Sequence, residues 1–356
     1  MRTENALRLP TVVFSVALLA AAPLFARDST DIVIMKNGDH LTGEIKGLSA
    51  GVLYVSMSYI LGTSSLDWSR VARLESKQLF IVKTEDGSVY KGTLNTAETE
   101  GERPVKIEVV QTPETQAELD RAQIVEMAPT SDKFWQRFNG AVGLGTTYTK
   151  GNETLTLALT SEVEYLRPRW SVSTSWISNL SSSSGVTAST RNEVTTVGRH
   201  LLPWNHWFYG GLGDFLQSSV QGIQLQTSLG AGVGRYLKNT NRATIAVMGG
   251  LAWQNTEYSQ STLSGTQNLG AGLLAGEVKL FKFNKTNLDF AGVLFPVFTQ
   301  PGRVKFNMNT TYYIKITSDL KWNISFYGNW DNQPPPHFAG SDYGTSSGLS
   351  WTFGMK

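Results

Sequence analysis

The sequence contains no cysteine and only 4 histidines. Without thiols there are no disulfides and no thiolate metal sites, so packing and backbone hydrogen bonding must hold the chain together. Beyond residue 26 no apolar run approaches the roughly 20 residues a membrane-spanning helix needs. No phosphate loop, metal-ligand cluster or dinucleotide fingerprint is present, so no cofactor and no metal is expected. The glycine-rich pieces GLGDF and GAGVG sit inside alternating segments, where glycine permits bending and close backbone approach.

What is present begins with an export signal. MRTENALR carries Arg2 and Arg8, and LPTVVFSVALLAAAPLFA is an apolar run ending in Ala26. This order of charged, apolar and small residues reads as a secretory signal over residues 1–26. Glycine is abundant, at 34 residues, alongside 10 Trp, 12 Tyr and 16 Phe, a composition that points to an all-β protein. Charge divides the remainder. Residues 27–133 hold 12 Lys and Arg against 17 Asp and Glu, a net of −5, whereas residues 134–356 hold 17 against 11, a net of +6.

The first segment is a tandem repeat. IVIMKNGDHLTGEI (Ile32 to Ile45) reads as strand, tight turn and strand, with Asn37 and Gly38 expected to supply the positive φ angles of a two-residue hairpin turn. FIVKTEDGSVYKGTL (Phe80 to Leu94) repeats it with Asp86 and Gly87, and Gly43 and Gly92 take matching places. LDWSRVARL and LDRAQIVEM close the two copies, while Gln111 to Asp120 reads as a long polar loop. Each copy resembles a small SH3-like or Sm-like barrel. Such folds often bind RNA, but an acidic, exported segment argues against a nucleic-acid partner. A spacer or plug, or a module for a periplasmic partner, is expected instead.

The second segment, residues 134–356, alternates two different faces with period two. LKWNISFYGNW sets Leu320, Trp322, Ile324, Phe326 and Trp330 against Lys321, Asn323, Ser325, Tyr327 and Asn329. IQLQTSLGAGVGRY sets Ile223, Leu225, Leu229 and Val233 against Gln224, Gln226, Ser228, Gly230 and Gly232. The segments run about 10 to 15 residues, longer than globular strands and matched to a tilted strand crossing a bilayer. Aromatics gather near their ends, as interfacial girdles do. The expected fold is a transmembrane antiparallel β-barrel of about 12 strands, starting near residues 138, 153, 169, 189, 205, 222, 242, 266, 286, 302, 319 and 343. Tight connections such as KNTNRA alternate with longer ones such as SNLSSSSGVTAST and WDNQPPPHFAGSD. An even strand count puts both barrel ends on the side of the repeats, the periplasm of a Gram-negative cell. Glu162, Glu164, Asp214, Asp289, Lys305 and Lys321 are expected inside, carrying both signs.

The chain ends in SSGLSWTFGMK. Ser346, Gly348, Trp351 and Phe353 fit the assembly signal of outer-membrane barrels, read by the barrel-assembly machinery through strand pairing, although Gly354 to Lys356 follow the terminal aromatic. Together the signal, KNGDHLTGEI, LDWSRV and DYGTSSGLSWTF resemble the YdiY-like family of salt-induced outer-membrane proteins. That resemblance implies a barrel contacting outer-membrane lipids and lipopolysaccharide and a link to salt stress. It brings no catalytic or binding residues.

Three functions are open to such a chain: a structural or narrow channel barrel, an outer-leaflet lipid- or lipopolysaccharide-modifying enzyme, and a membrane anchor for a periplasmic binding module. A Ser-His hydrolase site needs a positioned histidine. His40 lies in a repeat hairpin, and His200 and His206 flank LLPWN at the periplasmic end. That leaves His337, near Asp342, as the extracellular candidate, and no catalytic constellation is expected.

Overall fold

The structure is a computed structural model that describes residues 30–60, 62–96, 106–112, 115–130, 138–149, 154–167, 169–183, 186–202, 206–258, 266–282, 286–317, 320–334, 336 and 338–353. The signal segment and His337 lie outside the described residues.

Nine strands come first: β1 (Asp31–Met35), β2 (His40–Ser49), β3 (Val52–Ser56), β4 (Thr63–Asp67), β5 (Val71–Thr84), β6 (Val89–Thr96), β7 (Lys106–Thr112), β8 (Thr115–Asp120) and β9 (Ile124–Pro129). They form one sheet in the order β4-β3-β2-β1-β5-β6-β7-β8, with β9 reaching back to pair with β5 and β2. The pairing pattern repeats. Strands β1 to β4 lead through a short 3-10 turn, Trp68–Arg70, into β5, which pairs with β1. The far end of β5 then opens a second set, β6 to β8, which leads through Arg121–Gln123 into β9, and β9 pairs with β5. Asp67 and Asp120 cap the two turns identically, accepting from the Ser69 and Ala122 amides at 2.9 and 2.8 Å.

The sequence copies therefore share a strand, and they share one core. Val33, Ile45 and Leu74 of the first copy pack in the same cluster as Phe80, Ile107 and Met127 of the second. The equivalent turns also hold each other. The Trp68 indole donates to the Arg121 carbonyl at 2.9 Å, and the Arg121 guanidinium donates to the Val71 carbonyl. Burial pulls the Arg121 pKa below its ordinary value, against the raising influence of Asp120 and Asp67. Trp68→Phe removes one donor from a part-buried carbonyl, a loss of about 1 kcal/mol. Amide exchange in β5 is expected to quicken roughly fivefold.

Two details differ from the sequence expectation. Gly38 and Gly87 have φ of +89° and +82°, but Asn37 and Asp86 are not among the positive-φ residues. The Gly38 amide donates to Met35 and the Gly87 amide to Thr84, both at 2.9 Å, so each hairpin has a three-residue loop. A four-residue turn followed by a left-handed glycine bulge satisfies the twist with one positive φ where a two-residue turn needs two. The second concerns Gln111 to Asp120, which is no long loop: β7 and β8 pair out to Thr112 and Thr115.

The remaining strands are β10 (Phe138–Thr149), β11 (Thr154–Leu166), β12 (Trp170–Ser183), β13 (Val186–Leu201), β14 (Trp207–Ser218), β15 (Ile223–Asn239), β16 (Ala243–Tyr258), β17 (Gln267–Lys282), β18 (Thr286–Pro296), β19 (Val304–Lys315), β20 (Leu320–Asp331) and β21 (Ser341–Phe353). They close into a twelve-stranded antiparallel barrel, sealed by β21 against β10. The expected long loop over SNLSSSSGVTAST is not one, because β12 and β13 stay paired out to Ser183 and Val186. A bulge between Ile223 and Leu225 shifts the phase of β15, so Ile223 turns inward and is buried while Leu225 stays exposed.

Exposure in the barrel is inverted relative to a water-soluble domain. Leu251 is 68% exposed and Trp351 66%, whereas Gln226, Arg303 and Lys305 are 2%, 2% and 7% exposed. A largely apolar exterior of this kind would be costly in water and costs nothing in hydrocarbon. Outward Trp170 and Trp207 mark one end of the wall, and Trp330 and Tyr343 the other, the two aromatic girdles of a membrane barrel. The fold is a transmembrane antiparallel β-barrel preceded by a smaller β domain.

Candidate functional site

The lumen gathers the buried ionisable groups. Arg191 on β13 donates to Asp342 on β21 at 3.1 Å, to Asn329 on β20 at 2.5 Å and to Glu193 at 2.8 Å. The Tyr327 ring lies 4.5 Å from its guanidinium, and the Ser218 hydroxyl donates to the same Asp342 carboxylate at 2.7 Å. Beside this cluster, Lys305 on β19 donates to Gln226 on β15 at 2.7 Å, and Thr195 donates to Asp214 at 2.8 Å. Strands β13 and β21, or β15 and β19, are not neighbours in the barrel, so these bonds cross the bore. Buried charges lose hydration and are retained only when paired and hydrogen-bonded.

A second set of contacts lies at the outer mouth. Arg303 grips Asp331 through two bonds of 3.0 and 2.6 Å, fixing the base of the loop between β20 and β21. Phe338 of that loop stacks on Tyr258 with centroids 6.3 Å apart. Pro334 and Ala339 meet Gln221, Gln226 and Lys305 around a cavity of about 20 Å³, room for roughly one water.

One wall of the lumen is apolar. Phe208, Leu212, Met248, Leu269, Leu273 and Phe295 are buried together on β14 to β18. Here β15 contributes glycines inward, and Phe208 lies across Gly234. At the inner end Arg199 on β13 pairs with Glu277 on β17, and Lys279 reaches the same carboxylate at 2.8 Å. Lys321 lies 5.6 Å from the Tyr313 ring, and Asp289 stands opposite Lys279.

The β domain rests on that inner rim. Asn241, in the turn between β15 and β16, donates to the Ile124 carbonyl at 2.8 Å, and Lys315 at the end of β19 donates to Ser65 and sits 5.4 Å from the Tyr54 ring. The Gly87 turn faces the backbone of His206. Burial would lower the Lys83 ammonium, but Glu126 at 2.9 Å, with Glu164 of β11 behind it, holds it above its ordinary value. The contacts are spread over three separate stretches of the rim.

The expected site residues fall as follows. Ser346 and Gly348 face the lumen on β21, Trp351 points outward opposite Val142, and Phe353 covers Gly140. Asn37, Gly38, Asp86 and Gly87 form the repeat turns. His200 is paired with Tyr209, and His206 occupies the turn before β14 with φ of +67°. Among the described residues no group of three His, Asp or Glu is placed to hold a metal ion. The Arg191 cluster was not singled out by sequence. Its signal was available only as parity: Arg191 and Glu193 are two apart on one strand, on the face that Thr195 and Arg199 also take.

The sequence profile described as "Protein of unknown function, DUF481" matches residues 142–353. The chain belongs to the DUF481 family. The match covers nearly all of the twelve-stranded barrel and none of the β domain. No curated protein matches the chain. Among solved structures, the DUF481 barrel is similar to one described as the NanC porin, at 12% identity and a TM-score of 0.38, covering 61% of this chain and 100% of that one. The translocator domain of the autotransporter NalP from Neisseria meningitidis gives 15% identity, a TM-score of 0.33 and coverage of 61% and 87%. The outer membrane protease OmpT from Escherichia coli gives 10%, 0.22, and 61% and 96%.

Proposed function

We propose that this DUF481 protein is an outer-membrane barrel of structural or narrow-channel type, with its β domain in the periplasm capping the inner mouth. The observation that carries this reading is the seating of the β domain on the same rim to which both barrel ends belong. Cross-lumen ion pairs narrow the bore, and the β20–β21 loop covers its outer end, so passage is limited to small ions or solutes admitted when the cap shifts. The resemblance to the YdiY-like salt-induced proteins adds osmotic stress as the setting for such a shift.

The absence of native cysteine makes the test clean. A Cβ placed on Gly51 lies 3.4 Å from the Asn241 Cβ, close to the span of a disulfide. The Gly51→Cys/Asn241→Cys variant should lock the domain when oxidised and free it when reduced. In planar bilayers conductance is expected to rise from the oxidised form to the reduced form, and again when residues 27–133 are removed. Equal conductance in the locked and truncated proteins would reject the cap, and silence in all three would reject the channel.

A further inference from the structure

The exterior wall carries a trough that the lumen does not explain. Gly276 and Gly292 stand opposite each other on β17 and β18, and Gly249 lies one strand over on β16. All three belong to the outward face. A Cβ added at Gly276 would meet nothing within 4 Å, and one at Gly249 only Leu274 at 3.9 Å. Gly249 and Gly276 floor a groove of about 610 Å³ walled by Val233, Val247, Leu274, Phe290, Leu294 and Phe306, with Phe290 and Phe306 folded over Gly292, where an added Cβ would meet them at 3.1 and 3.4 Å. At its inner end stand Trp207 and Arg235, with the guanidinium 5.7 Å from the indole centroid.

Among the described residues, Arg235 is the one charged residue lining the groove. It is exposed, near the inner end of β15, and no carboxylate pairs with it among the described residues. A cation at that depth sits where hydrocarbon gives way to headgroups, the level at which Arg and Trp side chains anchor. The trough runs from it toward mid-bilayer, past Gly276 and Gly292 to Leu294. An apolar channel of this volume with one cation at its wet end matches a single amphiphile with an anionic head.

We infer that this groove binds a glycerophospholipid of the inner leaflet, one acyl chain lying over Gly249 and Gly276 against Phe290 and the phosphate on Arg235. The inference rests on the membrane reading, but not on the channel. A second copy of the chain would need to bring a carboxylate to Arg235 within the interface, and the test separates that case.

Native mass spectrometry of the full chain, extracted from bacterial membranes and reloaded with phosphatidylethanolamine, reads the site directly. The wild type is expected to retain one phospholipid and no diacylglycerol. Arg235→Gln, losing a charged hydrogen bond, and Gly276→Leu, filling the floor, should each weaken retention roughly tenfold. Gly198→Leu, on a bare outward face of β13 where an added Cβ meets nothing within 4 Å, should retain lipid like the wild type. Should Gly276→Leu fail to fold, Gly249→Val takes its place. Equal retention by all variants, no retention by the wild type, or a dimer lost on filling the groove would each overturn the site. Failure of the wild type to enter bilayers at all would instead overturn the membrane reading.

Discussion

Arg191→Met is expected to lower the unfolding free energy of the barrel by about 3–5 kcal/mol, because it strands two buried carboxylates. Arg191, Glu193 and Asp342 are 3%, 4% and 6% exposed, and the guanidinium is the hydrogen-bond donor common to Glu193, Asp342 and Asn329. Methionine keeps much of the volume and the contact with Tyr327 but supplies neither charge nor donors. Ser218 would still donate to Asp342, which softens but does not remove the loss. Denaturant titration in lipid vesicles, followed by the mobility of unheated samples on gels, measures the change. The Arg191→Met/Glu193→Gln/Asp342→Asn variant removes the charges together and should recover a large part of the deficit. A single variant within about 0.5 kcal/mol of wild type would mean that water, and not Arg191, solvates those carboxylates in the lumen.

The barrel was legible in the sequence to a degree unusual for a β fold, and the reason is physical. Hydrocarbon outside and a lumen largely lined by polar side chains impose a two-residue period along most strands, so β10, β17, β18 and β20 begin within a residue or so of the expected positions. Where the period misled, a local device had changed the phase or extended a strand. The bulge at Ile223–Leu225 turned one residue inward, and the serine run after Leu180 looked like loop although the ladder continues through it. The repeats were legible through Gly43 and Gly92, which sit against the Ser56 and Val110 carbonyls of β3 and β7 in equivalent ways. That the copies share β5 and a single core was not, because pairing of β9 with β5 is a long-range event.

The lumen cluster was illegible for a different reason. Parity says which residues face inward, but not which inward residues meet across the bore. Arg191 and Asp342 are 151 positions apart, and Lys305 and Gln226 are 79 apart. Their meeting depends on the closure and stagger of twelve strands, a property of the whole ring. The seating of the β domain has the same character: the opposite net charges of the two segments name no contact, and the rim contacts found are an amide to a carbonyl, and a lysine to a hydroxyl and a ring.

Everything turns on what solvates the outward face, and Leu251→Arg asks that question most directly. Leu251 lies midway along β16, 68% exposed, opposite Ala231 and Gly272. Arginine at the midplane of a bilayer-facing wall costs about 2–4 kcal/mol, whereas a surface change in water stays within about 0.5 kcal/mol. Equilibrium unfolding of the full chain in vesicles is expected to show the larger loss. A Leu251→Arg protein as stable as the parent, or one that folds as a soluble monomer without lipid, would contradict it.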